Sequence, residues 1–208
     1  FLELVTPLDR GTWSAGGRYI ERRSGPGGYM LLFQVKRSDY ESHLTHLGDL
    51  GVRLVAGGDI SESESYAIHV HPKDLPGCLF ELRWCENEEA VDGDWWPVEK
   101  DWKEHRNTDM IDAIIGAEIQ TPEPDQLARR WGDLLQQEVG VTDGQPSIST
   151  TDGPVRFVTP SDGRPEGLRG IDVHASDPVT LIERAEHFGL ACDQGTIEVC
   201  GMKFNLVG

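Results

Sequence analysis

The sequence predicts an α+β protein built from repeated strand–helix–strand units, paired into two halves. Three observations predict it. First, a strand with a central acid occurs twice, as Phe1-Leu2-Glu3-Leu4-Val5 and as Cys78-Leu79-Phe80-Glu81-Leu82. Second, strand endings echo along the chain: Val5-Thr6-Pro7 returns as Val158-Thr159-Pro160, and Lys203 to Val207 closes in the same style. Third, helix-start signals recur between the strands at Ser38, Thr121 and Asp177. A unit of this size cannot bury a face alone, so neighbouring units must pair.

In order, Phe1 to Val5 is a strand, and its position implies that the rest of its unit lies upstream. Residues 8–28 form a Gly- and Arg-rich loop with a helical turn around Gly17 to Arg22. Met30 to Val35 is a strand. Ser38 and Glu41 read as a capping box, opening a helix with Tyr40, Leu44 and Leu47 on one face. Val52 to Val55, Tyr66 to Val70 and Cys78 to Trp84 are strands, the last pair joined across Pro76-Gly77. Residues 86–109 are acidic and carry Trp95, Trp96 and Trp102, which suits a linker lying on a domain surface. With Trp84 these tryptophans could cover an open sheet end.

The pattern then restarts. Ile111 to Gln120 is a strand. Thr121 and Pro122 start a helix whose inward stripe is Leu127, Trp131, Leu134 and Leu135. Pro154 to Val158 and Gly170 to Ala175 are strands. Ser176 or Asp177 caps a helix with Val179, Ile182, Ala185 and Phe188 inward, and Thr196 to Val207 ends as a hairpin. The expected domains are therefore residues 1–85 and 110–208, with 86–109 between them.

Composition narrows function. The chain has 208 residues, a formal net charge of −17 and 38% hydrophobic residues. Nucleic-acid surfaces need clustered Lys and Arg, and anionic membranes repel such a protein. No apolar run approaches the ~18 residues of a spanning helix. The expectation is an acidic, soluble, cytoplasmic protein with a small-molecule partner, with a homodimer also open. The four cysteines, Cys78, Cys85, Cys192 and Cys200, form no CxxC pair and read as reduced structural thiols. No phosphate-binding glycine loop stands between a strand and a helix.

Glu81 is the main candidate for chemistry, since an unpaired buried charge costs several kcal/mol, roughly, unless it is paired, protonated or metal-bound. His69 and His71 share one strand face. Gln34 alternates onto the Met30 face. Asp172 and His174, two apart, could form an acid–base pair. Arg156 could receive an anion or pair with a nearby acid.

The run His71-Pro72-Lys73 followed by Gly77, Leu79, Glu81 and Leu82 resembles a hairpin of the vicinal-oxygen-chelate superfamily, and Phe1 to Pro7 is similar to a strand that ends a first module there. That superfamily includes glyoxalase I, methylmalonyl-CoA epimerase, extradiol dioxygenases and bleomycin-resistance proteins. The resemblance implies paired βαβββ modules forming cupped mixed sheets. It also implies metal ligands on the first and last strands of paired modules. Carried over, these fall on Glu3 and Glu81, with Met30 where His is usual. In the second half they fall on Arg156 and Asn205, with first-strand counterparts near Gly116 and Gly170, which leaves that half without a ligand set. A divalent metal at Glu3 and Glu81 is thus one reading of the cofactor, and none is the other. Function divides likewise. The chain is either a glyoxalase-, epimerase- or dioxygenase-type enzyme using Glu81 as catalytic base or ligand opposite Glu3, or a non-catalytic protein that sequesters a small molecule. Gln34, His69, Arg156 and His174 would bind the ligand. The first reading expects Glu81→Gln to abolish binding at little cost in stability.

Overall fold

The computed structural model describes residues 1–7, 14–55, 65–85, 98 and 101–208. Trp95, Trp96 and most of the expected linker lie outside the described residues. The chain divides into two compact units: Phe1–Tyr29 with Asn107–Gly208, the host unit, and Met30–Arg106, the inserted unit. The expected halves ran 1–85 and 110–208, so the first 29 residues group with the second half.

The inserted unit is one strand–helix–strands module. Strand β1 (Met30–Gln34) leads into helix α2 (Arg37–Asp49), then β2 (Ser65–Val70) and β3 (Leu79–Cys85); the helix before them, α1 (Ala15–Arg22), belongs to the host unit. The sheet order is β1-β3-β2, with β1 parallel and β2 antiparallel to β3. The expected strand Val52 to Val55 shrinks to a single bridge, Leu54 to Val70, flanked by backbone bonds from Val55 to His69 and from His71 to Arg53. Helix α2 starts without a side-chain cap, because Ser38 Oγ donates to Asp39 at 2.8 Å instead of capping. Tyr40 and Leu47 are its buried residues. Tyr40 meets Trp84 edge-on at 6.4 Å, and Arg37 lies over the Trp84 ring at 4.7 Å. Trp84 is therefore core under the helix and does not cover an open sheet end.

The host unit carries one eight-stranded sheet. Its strands are β4 (Ile111–Gln120), β5 (Val139–Thr142), β6 (Gln145–Thr150), β7 (Gly153–Val158), β8 (Gly167–Ala175), β9 (Ala191–Asp193), β10 (Thr196–Val199) and β11 (Met202–Val207). Helix α3 (Pro124–Leu135) follows β4, and α4 (Pro178–His187) follows β8. The order β5-β6-β7-β4-β8-β11-β10-β9 is two modules joined back to back, with first strands β4 and β8 antiparallel at the centre. Each first strand runs parallel to the last strand of its own module, β4 to β7 and β8 to β11. The expected α+β class with paired βαβββ modules and mixed sheets is what the structure has.

Two hairpin turns account for strands the pattern did not predict, and a third closes the expected terminal hairpin. Asp143-Gly144, Gln194-Gly195 and Cys200-Gly201 all take positive φ, 52° and 74°, 43° and 83°, and 51° and 71°. Two successive positive φ values match the right-handed twist of a two-residue hairpin. Leu127, Trp131, Leu134 and Leu135 are buried as expected. Helix α3 starts two residues later than predicted, with Pro124 in its first turn. Asp177 does cap α4, accepting from Thr180 at 3.0 Å. Val179 and Phe188 are exposed, and only Ala185 is buried on that helix.

Phe1–Val5 overturns its prediction. It forms no strand, and Leu4 is 77% exposed. Further along, α1 belongs to a strap tied to the 160s loop. Arg23 donates to the Pro165 carbonyl. Arg164 donates to the Gly201 carbonyl at 2.7 Å and to the Pro26 carbonyl. Cys78 and Cys85 are buried, and Cys200 is exposed. No helix among the described residues is long and apolar enough to cross a membrane.

Candidate functional site

Glu81 sits in mid-β3 and is 3% exposed. The pairing puts Leu32 on one side of it and His69 on the other. Directly opposed residues on an antiparallel pair are close enough to touch. His69 Nε2 lies 2.6 Å from Glu81 Oε2, and Arg83 Nε donates to Oε1 at 2.6 Å. Arg83 reaches the same carboxylate because it is two residues along the strand, on the same face. Gln34 stands in register with Arg83 and is exposed. His71 lies beyond the strand end, where its Nδ1 accepts from the Lys73 backbone at 3.1 Å.

Burial pushes the Glu81 carboxyl up, but the bonds from His69 and Arg83 outweigh it and hold the acid below the usual range. So Glu81 is a paired anion, bonded by His69 and Arg83. Its register partner on the first strand is Leu32, one pleat step from the expected Met30. Glu3 lies in the host unit, exposed, in a segment without strand structure. The strand expected under it does not form.

The host unit places a second polar row across its four central strands. Register sets Glu118 beside Arg156 and Asp172 beside Asn205. This corrects the expected counterparts near Gly116 and Gly170 by two residues, one step along the same faces. Arg156 clasps Asp172 with both terminal nitrogens, Nη2 to Oδ1 at 2.8 Å. The same Nη2 is 3.7 Å from Glu118 Oε2. Asn205 donates to Asp172 Oδ1 at 2.8 Å, and Thr196 to Asn205 at 3.1 Å. Arg169 holds the other oxygen of Glu118 at 2.9 Å. Gly116 makes room for this row, since a methyl group there would run into Asp172 Oδ2.

Asp172 is 6% exposed. Burial raises its proton affinity, yet bonds from Arg156 and Asn205 bring it below the ordinary range. Arg156 is raised, chiefly by its bond to Asp172. The expected Asp172 and His174 pair does not form. His174 Nδ1 instead meets Asp112 Oδ1 at 2.7 Å, with both side chains about half exposed.

The two depressed carboxylates predict an acid-labile protein. Each binds its proton more weakly folded than unfolded, so its stabilisation is full above the unfolded pKa of about 4. That stabilisation is lost as pH falls through the lower folded values. Urea unfolding measured between pH 7 and pH 2.5 is expected to show a falling midpoint below about pH 4. A midpoint flat over that range would show that neither pair forms.

The fold is similar to that of solved glyoxalase- and dioxygenase-type structures. A hypothetical protein from Staphylococcus aureus superposes with TM-score 0.59 at 10% identity, over 95% of this chain and 72% of that one. A Mn(II)-bound glyoxalase from Novosphingobium aromaticivorans gives 0.58 at 12%, over 85% and 61%. A mutant of 4-hydroxymandelate synthase from Streptomyces coelicolor gives 0.55 at 13%, over 87% and 58%. The chain thus spans about three fifths of the length of these last two, and at such identities the likeness is one of fold. No family model and no curated protein matches the sequence.

Among the described residues, neither Glu81 nor Asp172 offers the ligand set of a divalent metal such as the Mn(II)-bound glyoxalase holds. Such ions take several N or O ligands with open lone pairs. Both oxygens of Glu81 are taken, one by a cation. Both oxygens of Asp172 are taken by Arg156 and Asn205. Among the described residues no three His, Cys, Asp or Glu converge on one point. Sequence reasoning missed Arg83 and Glu118. Strand alternation from Glu81 could have found Arg83. Glu118 became visible only through register.

Proposed function

We propose that the chain acts on a small carbonyl compound by proton transfer at His69, oriented by Glu81, without a metal ion. The single observation carrying this is the His69–Glu81 bond of 2.6 Å, joining a ring 32% exposed to a carboxylate 4% exposed. A buried carboxylate on one ring nitrogen fixes the tautomer and orientation of the other. With Nε2 held, Nδ1 is the position left to take or give a proton. Arg83 keeps Glu81 ionised, which suits an anchor and not a base. The fold supports a small-molecule site in general terms, and the reaction class rests on the dyad.

The test is solvent-deuterium wash-in at carbons next to carbonyl groups, across a panel of small ketones and 2-oxo acids, read by NMR. Wild-type protein is expected to exchange at least one compound, and His69→Gln to lose about 100-fold or more of that rate. Exchange unchanged in His69→Gln would sink the proposal. A second reading, sequestration without chemistry, is favoured by the host unit, where both members of the buried pair are fully engaged. It predicts ligand-induced spectral shifts with no exchange, surviving in His69→Gln.

A further inference from the structure

We propose that Arg156 is the resident cation of the host-unit sheet, standing in place of a divalent metal ion, and that Glu118, Asp172 and Asn205 are a latent oxygen-ligand row around it. The four residues come from β4, β7, β8 and β11, the first and last strands of the two paired modules. Arg156 stands in register with Glu118 and Asn205 with Asp172, and the two pairs are offset by one step across β4 and β8, where Asp172 faces Gly116. Both carboxylates converge on a single guanidinium nitrogen, Nη2, at 2.8 Å and 3.7 Å. Asn205 adds an amide to the same carboxylate oxygen that Nη2 holds. Two acids from different strands meeting one cation is the arrangement a bound ion would need. Here the cation is covalently part of the chain.

The charges support the assignment. Arg156 offsets Asp172, and Arg169 offsets Glu118 while also bonding Ser161 at 2.9 Å. The row is therefore neutral as it stands, and an added divalent ion would have to displace a guanidinium from a buried bidentate pair. Removing the Arg156 charge alone leaves two acids that both reached the same nitrogen, with only Arg169 on Glu118 to offset them, which favours uptake of a cation.

Calorimetric titration of the full chain with Ni(II) alone and Mn(II) alone tests this. Wild-type protein is expected to show no site that Asp172→Asn removes. Arg156→His supplies an imidazole beside the two acids and is expected to bind one Ni(II) per chain, roughly tenfold tighter or more than any wild-type uptake. Adding Asp172→Asn to that variant should erase the gain. Arg156→Gln, which keeps a neutral polar group, should gain a weaker site by the same comparison. Circular dichroism establishes that each variant is folded. A wild-type site abolished by Asp172→Asn would overturn the proposal. So would folded Arg156→His and Arg156→Gln proteins that gain no ion. If neither variant folds, the wild-type titration with its Asp172→Asn control still decides.

Discussion

Asp172→Ala is expected to lower the unfolding free energy of the host unit by about 3–5 kcal/mol. The size follows from what is left behind. Arg156, held at the centre of the sheet, keeps its charge and loses its bidentate partner, and Glu118 at 3.7 Å is already shared with Arg169. Asn205 loses its acceptor as well. A buried pair is a poor net stabiliser when formed and a severe liability when half removed. The double substitution Arg156→Leu with Asp172→Leu is therefore expected to cost far less than Asp172→Ala. Equilibrium urea denaturation followed by circular dichroism measures both. A loss below about 1 kcal/mol for Asp172→Ala would mean that the pair behaves as a solvated surface bridge.

Glu81→Gln is expected to cost about 2–4 kcal/mol and to abolish proton exchange. The amide keeps the shape of the side chain but not its charge. Arg83, with a side chain 11% exposed, then faces a neutral group, and His69 loses the anion that orients it. His69→Gln is expected to abolish exchange at a cost below about 1 kcal/mol, because its ring is partly solvated and its loss leaves Arg83 and Glu81 paired. Thermal unfolding and deuterium wash-in, run on both variants, separate the two roles. Equal stability losses in both would show that Glu81 does not depend on Arg83. The sequence-based expectation of a cheap Glu81→Gln rested on the isostere keeping the packing, and the ion pair reverses it.

The fold was legible because its signals are local. Alternating apolar strands, the α3 stripe from Leu127 to Leu135 and the Asp177 cap each act within a few residues. The Asp143-Gly144 turn was equally local and marked a hairpin that the strand pattern passed over. The site was less legible because register is set between strands far apart in sequence. Nothing near Arg156 says that Glu118 and not Gly116 stands beside it. The parallel β4–β7 pairing decides between them. Glu3 misled for the same reason: Phe1 to Val5 has strand chemistry, but a strand exists only where a neighbour offers its backbone. His69 and Glu81 were both singled out, yet their union depended on the β2–β3 pairing.

The strap fastened by Arg164 has a consequence for synthesis. Its bonds join residues 138 and 142 positions apart, from Pro26 to Arg164 and from Arg23 to Pro165. The whole inserted unit is made in between. Growing from its N-terminus, the chain completes Met30–Arg106 while the strap still has no partner. At about 5–20 residues per second, the Gly201 carbonyl that Arg164 also needs follows Gly28 by roughly 10–35 s. Throughout that interval Arg23, fully buried in the finished protein, is a solvated cation on an undocked segment. The clasp therefore cannot close until both ends of the host unit have been made.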